Sequence, residues 1–140
     1  PETQQKILRM IHNKEEVLTG KKILVVDDDM RNVFSIKKVL EEKGIMILVG
    51  KNGKEGIACL NDNPDINLVL MDIMMPEMDG YEAIGEIRKQ KKFKKLPIIA
   101  LTAKAMKGDR SKCIEAGAND YLAKPFEIDR LFSMLRVWLY

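Results

Sequence analysis

Five short apolar runs, separated by longer amphipathic stretches, constrain this chain more than any other feature of its sequence. They are Ile23 to Val26, Ile45 to Val49, Leu68 to Met71, Ile98 to Leu101 and a weaker one at Tyr121 to Ala123. Three of the first four are nearly unbroken rather than alternating, the pattern of strands buried on both faces of a parallel sheet. The segments between them carry apolar residues at helical spacing: Val33, Ile36, Val39 and Leu40, then Ile57 and Leu60, then Ile84 and Ile87. The last stretch, Ile128 to Leu139, repeats the pattern with Leu131, Leu135 and Trp138. Alternation of strand and helix five times over predicts right-handed crossovers and a doubly wound α/β sandwich of about 120 residues around a five-stranded parallel sheet. Ligands of such sheets bind beyond the carboxyl ends of the strands, where the strand order reverses. The residues just after each run are therefore the ones to search for chemistry.

With 140 residues and 46% hydrophobic content, the chain has enough apolar material for one core without disulfides or a structural metal. Its 24 basic and 21 acidic residues, a net charge of +3, are too evenly mixed for a nucleic-acid footprint or a polybasic membrane anchor. No apolar run approaches the roughly 18 residues that span a bilayer, and the N-terminus lacks the layout of a signal peptide. A soluble, cytoplasmic domain without direct nucleic-acid or membrane contact is the expectation. Cys59 and Cys113 lie far apart, with no Cys-x-x-Cys or His partner, and read as plain core thiols. Residues 1–20 stand outside the alternation. Ile7, Leu8, Ile11 and Leu18 mark them as a linker or an extra helix ahead of a domain at 21–140, and the lone His12 reads as solvated. The run Lys89, Lys91, Lys92, Lys94 and Lys95 reads as a solvated loop whose cations suit a helix C-terminus. A start at Pro1 rather than Met suggests a segment of something longer.

Polar groups gather at the strand ends. Asp27, Asp28 and Asp29 end the first run, Asp72 ends the third, Thr102 ends the fourth, and Lys124 follows the fifth. Taken singly, each has an ordinary explanation as a helix cap or a solvated side chain. Their coincidence at one edge does not, because carboxylates brought together repel one another and their pKa values rise unless a cation joins them. All-oxygen ligands without His or Cys suit Mg2+, with Mn2+ able to substitute. Phosphoryl transfer needs a nucleophile in line with the leaving group and positive charge around the equatorial oxygens. A carboxylate can itself accept the group if metal and ammonium offset its charge, and Asp72, projecting from mid-sheet beside the acidic cluster, is the best acceptor.

At these positions the sequence closely resembles the receiver domains of two-component response regulators and hybrid histidine kinases. The resemblance spans roughly residues 20 to 139 and rests on four motifs in order: Ile23-Leu-Val-Val-Asp-Asp-Asp29, Met71-Asp-Ile-Met-Met-Pro-Glu-Met-Asp-Gly80, Leu101-Thr-Ala103 and Tyr121-Leu-Ala-Lys-Pro125. It looks most like a receiver within a hybrid histidine kinase. It implies a flavodoxin-like sandwich of strand order 2-1-3-4-5, and Mg2+-dependent transfer from a phosphohistidine to Asp72. It also implies Mg2+ held by Asp28 directly, Asp27 through water, Asp72 and the Met74 backbone carbonyl. By the same resemblance Lys124 is expected to pair with the phosphoryl group or, before transfer, with Asp72, Thr102 to bond a phosphoryl oxygen after transfer, and Tyr121 to turn inward as the switch. The Lys124–Pro125 bond is expected to be cis, and Met74 and Lys104 to tune hydrolysis. Asp79 and Gly80 shape the loop and start the third helix. The implied partner is a histidine kinase or a histidine phosphotransfer domain. The implied output face is the fourth helix, fifth strand and fifth helix, with the oligomeric state left open. Such a domain promotes its own phosphorylation and dephosphorylation without being a turnover enzyme.

Two rivals differ in class. A haloacid dehalogenase-type phosphatase also uses an aspartyl phosphate, and Asp27-Asp28-Asp29 contains an Asp-x-Asp. That family needs a further acidic pair and usually a cap insertion, and here only Glu127 and Asp129 follow Lys124. The nucleophile would then be Asp27. A receiver-like interaction module that is never phosphorylated is the second, and the intact acceptor, metal, hydroxyl and lysine positions argue against it.

Overall fold

A computed structural model describes residues 18–75, 78–103, 107–124 and 126–139. In chain order they form β1 (Lys22–Val26), α1 (Met30–Glu41), β2 (Met46–Gly50), α2 (Gly53–Asp62), β3 (Leu68–Asp72) and α3 (Gly80–Lys89). A 3-10 turn (Lys91–Phe93), β4 (Ile98–Thr102), α4 (Lys107–Ala116), β5 (Asp120–Ala123) and α5 (Ile128–Leu139) follow. The strands pair in parallel in the order β2-β1-β3-β4-β5, as the resemblance implied. Each apolar run becomes a strand whose ends shift by no more than one residue.

The two-residue period of a strand divides the core into two layers. Leu24 and Val26, Val69 and Met71, and Ile98 and Ala100 face one side, where Leu60, Ala83, Ile84, Ile87 and Cys113 of α2, α3 and α4 cover them. Ile23 and Val25, Leu68 and Leu70, and Ile99 and Leu101 face the other, under Val33, Ile36 and Leu40 of α1 and Leu131 and Leu135 of α5. β2 takes the edge place that the implied strand order gives it, despite an apolar run like those of the central strands. It is an edge strand, and Met46 and Val49 are exposed. Of the two cysteines, Cys113 is a core thiol, while Cys59 is half-buried against the same layer and burial pushes its thiol pKa up. Among the described residues no helix is long and apolar enough to cross a membrane.

Most of the segment read as a linker or extra helix, with His12, lies outside the described residues. Its end is a turn in which Leu18 is buried with the α1 and α5 layer and the Gly20 N–H donates to the Gly44 carbonyl at 2.8 Å. The lysine-rich segment proves more ordered than a plain solvated loop. Phe93 is buried while Lys91, Lys92, Lys94 and Lys95 are exposed. Arg88 supplies the order: it donates to the carbonyls of Phe93 at 2.7 Å, Lys94 at 3.2 Å and Gly117 at 2.8 Å, and to Asn119 Oδ1 at 2.7 Å. One guanidinium thus ties the end of α3 to the starts of β4 and β5, far from the strand tips that carry the acidic residues.

At those tips the backbone closes tightly around Gly80. Asp79 caps α3 by accepting from the Glu82 N–H at 2.9 Å, and the Gly80 N–H donates to the Ile73 carbonyl at 3.0 Å. A Cβ on Gly80 would stand 2.4 Å from the Asp72 carbonyl oxygen and 2.6 Å from Ile73 Cα, both backbone atoms of the strand that carries Asp72. Neither can swing aside. Gly85, on the same helix, has nothing within 4 Å of its would-be Cβ. Gly80→Ala is therefore expected to lower unfolding free energy by about 2–3 kcal/mol through backbone overpacking. Gly85→Ala, in urea unfolding of the same chain, is expected to raise it by about 0.5–1 kcal/mol.

Candidate functional site

The site sits where the sheet's connections diverge, β1 leading outward to β2 on one side and β3 leading to β4 on the other. Asp27 follows β1 directly and is fully buried. Its Oδ1 accepts from the Asp29 N–H at 2.9 Å and its Oδ2 from Lys124 Nζ at 3.0 Å, so one carboxylate both shapes the turn and anchors the lysine. Asp29 is the N-cap of α1, accepting from the Arg31 N–H at 3.0 Å. That backbone hydrogen bond holds its carboxyl below the usual range. Of the three consecutive aspartates, Asp29 therefore belongs to the helix, and Asp28 stands exposed between the cap and the buried Asp27.

Asp72, the last residue of β3, is buried, and both the Met74 N–H at 3.2 Å and Lys124 Nζ at 3.4 Å converge on its Oδ1. One carboxylate oxygen from each of Asp27, Asp28 and Asp72 lies within 4.8 Å of the others. Burial, then repulsion from Asp27, push the Asp72 carboxyl from 3.8 up to about 6, with Lys124 opposing. For Lys124, burial pulls downward, but the bonds to Asp27 and Asp72 outweigh it and raise its pKa, keeping it an ammonium at neutral pH. Among the described residues, a single ammonium thus stands beside a cluster of three carboxylates. The donor set is all hard oxygen with no His or Cys, and its charge is under-compensated, so these residues fit a small divalent cation.

Thr102 ends β4 and is buried. Its carbonyl accepts from the Lys124 N–H at 2.7 Å, so the chain leaves β5 beside the hydroxyl position. Tyr121 pairs with Ala100 in the β4–β5 register and is half-buried against the α3 and α4 layer. Met74, whose N–H donates to Asp72, is 61% exposed. The structure therefore brings Asp27, Asp28, Asp72, Met74, Thr102 and Lys124 to one edge, with Tyr121 one strand pairing away. Pro125 with its expected cis bond, and Lys104, lie outside the described residues. Sequence reasoning missed two contacts. Arg110 of α4 lies over the Tyr121 ring, 5.8 Å from its centroid, and Asp120 accepts from the Trp138 indole N–H of α5 at 3.2 Å. Neither pair has a spacing that announces it, because each joins two elements through tertiary packing alone.

A family model described as "Response regulator receiver domain" matches residues 23–136. The chain is 38% identical over 115 residues to the "Sensor histidine kinase CheAY" of Helicobacter pylori, covering 81% of this chain and 14% of that one. It is 41% identical over 121 residues to an "Uncharacterized 14.6 kDa protein" of Leptolyngbya boryana, covering 86% and 92%. A "Hybrid signal transduction histidine kinase B" of Dictyostelium discoideum is 38% identical, with 82% and 6% covered. The chain thus spans only a small part of the kinases it matches. Among solved structures it superposes on the receiver domain of sensor histidine kinase PA1611 from Pseudomonas aeruginosa, with a TM-score of 0.79 and 39% identity over 86% of this chain and 98% of that one. That structure is titled as having a magnesium ion coordinated in the active site cleft. The chemotaxis protein CheY4 of Vibrio cholerae superposes with a TM-score of 0.80 at 26% identity, covering 84% and 98%.

The raised Asp72 pKa has a consequence for stability. In the unfolded chain this carboxyl ionises near 3.8, and in the folded, metal-free chain near 6. Between those values the folded state binds more protons, so stability falls as pH rises through the window and the loss is complete above it. Removing the charge removes the loss. In chelator, Asp72→Asn is expected to be about 2–3 kcal/mol more stable than the parent chain at pH 8, with the gain vanishing below about pH 4. Urea unfolding across that pH range checks it.

Proposed function

This chain belongs to the response regulator receiver domain family, and on that premise we propose that it accepts a phosphoryl group from a phosphohistidine on Asp72. A carboxylate oxygen of Asp72 attacks phosphorus, the bond from phosphorus to the imidazole nitrogen breaks, and the imidazole departs with the bonding pair to be protonated. The observation that carries this reading is the convergence of the Asp27, Asp28 and Asp72 oxygens within 4.8 Å, with the Lys124 ammonium 3.4 Å from Asp72. Asp28, Asp72 and the Met74 carbonyl would hold Mg2+ directly and Asp27 through water, and the ion would supply positive charge that offsets that of the incoming group.

The protein's own groups do the rest. Lys124, held by Asp27 from below, neutralises an equatorial oxygen of the incoming group, and after transfer it stays paired with the product. Thr102 donates its hydroxyl to a phosphoryl oxygen and draws the β4–α4 connection inward. Tyr121 then follows into the space that this motion frees, a local electrostatic event biasing a two-state element. The α4–β5–α5 face carries the output. A cavity of about 370 Å³ opens beside Lys124, lined by Asn32, Ser35, Ile36, Phe126 and Ile128. The exposed apolar side chains of Met30, Phe34 and Ile128 also lie on α1 and the start of α5. This surface suits the histidine-bearing helices of a kinase or phosphotransfer partner. The parent chain is read as a hybrid histidine kinase operating in the cytoplasm, in keeping with the kinases it matches.

Incubation with acetyl phosphate and Mg2+, followed by intact-mass measurement, tests the reading. One added phosphoryl group is expected, lost with chelator and lost in Asp72→Asn. A gain that survives Asp72→Asn would defeat it, and phosphopeptide mapping to Asp27 would favour the phosphatase-type alternative. Met74 offers an apolar side chain and no hydrogen bond to an attacking water. Met74→Asn is therefore expected to shorten the phosphoryl lifetime several-fold, timed by loss of the added mass, and an unchanged lifetime would count against that role.

A further inference from the structure

Among its described side chains, α4 buries fewer against the sheet than α3 does. Of its side chains from 110 to 116, Cys113 is fully buried and Ala116 half-buried, while Arg110, Ser111, Lys112, Ile114 and Glu115 are exposed. α3, by comparison, buries Gly80, Ala83, Ile84 and Ile87 and is clamped at its end by Arg88. A helix anchored by so little apolar area is the one most easily displaced. Against that background one contact stands out: the Arg110 guanidinium lies over the half-buried Tyr121 ring, 5.8 Å from its centroid, and bridges α4 to β5. A cation over an aromatic face is attracted by the ring quadrupole, and arginine suits the role because its planar group stacks. On its other side β5 is tied to α5, where Asp120 accepts from the Trp138 indole N–H at 3.2 Å and from the Tyr121 N–H at 2.9 Å.

We propose that Arg110 is a positioning residue, a latch that holds the Tyr121 ring in the half-buried place it occupies under the guanidinium and so sets how readily the domain switches. The proposal rests on the phosphoacceptor reading above and adds to it a residue that touches neither Asp72 nor the ion. The contact exists only while the ring lies under the guanidinium. When the ring moves toward Thr102 it leaves the cation behind, so the contact stabilises one of the two states and not the other. A group that stabilises the resting state lowers the population of the competent one, and weakens the apparent affinity of any ligand that selects it by the same factor. An exposed contact of this kind corresponds to a shift of about two- to five-fold.

The test uses the full 140-residue chain and beryllofluoride with Mg2+, a phosphoryl mimic, with binding followed by the fluorescence of Trp138, the single tryptophan. Arg110→Ala is expected to tighten apparent affinity about two- to five-fold. Arg110→Lys should recover part of the difference, and in a Tyr121→Ala background removal of Arg110 should change nothing. In the ligand-free chain, Arg110→Ala should also shift the Tyr121 ring proton resonances. A purely structural arginine would lower unfolding free energy and leave affinity where it was. If the parent chain binds the mimic, loses binding in Asp72→Asn, and yet shows equal affinity in Arg110→Ala, the latch is overturned while the phosphoacceptor reading stands. If the parent chain does not bind the mimic at all, the phosphoacceptor reading fails and the latch with it.

Discussion

Among the described residues, one ammonium set against three carboxylates at the tips of adjacent parallel strands is the constraint on which the site depends. Lys124 reaches Asp27 at 3.0 Å and Asp72 at 3.4 Å, yet Asp72 remains pushed up to about 6 because burial and Asp27 still act against its charge. A site built this way is deliberately short of positive charge. It favours a divalent cation, whose two positive charges would bring the three carboxylates and the ammonium to balance.

The fold makes such an imbalance tolerable. The strands that bear Asp27 and Asp72 are buried along their length, with Ile23 to Val26 and Leu68 to Met71 almost without exposure, so the tips cannot splay to relieve repulsion. Backbone packing at Gly80 and the Asp79 cap fix the loop after Asp72 from the other side. Far from the site, Arg88 ties three elements together through carbonyl oxygens. Burial and tight backbone packing are concentrated in β1, β3 and α3, while most of the described side chains of α4 are exposed.

How much of this could be read in advance follows from the range of each interaction. The five strands were visible because burial on both faces demands unbroken apolar runs, whereas the edge position of β2 came only from the strand order the resemblance implied, because Ile45 to Val49 is as apolar as the runs that became central. Among Asp27, Asp28 and Asp29 the sequence shows three equivalent carboxylates. Only the local backbone distinguishes the buried anchor, the exposed ligand candidate and the helix cap. The lysine run looked like a solvated loop because no residue within it reveals that Arg88 holds its carbonyls from outside.

By itself, then, the sequence determined the α/β class, the approximate strands and the set of polar groups at their ends, since periodicity and strand termini are local properties of the chain. Tertiary structure alone decided the 3.0 and 3.4 Å reach of Lys124 across 97 and 52 residues, the upward shift of Asp72 and the seat of Arg110 on Tyr121. These depend on distances between elements remote in sequence and on how far each group is removed from water, and no spacing along the chain encodes either.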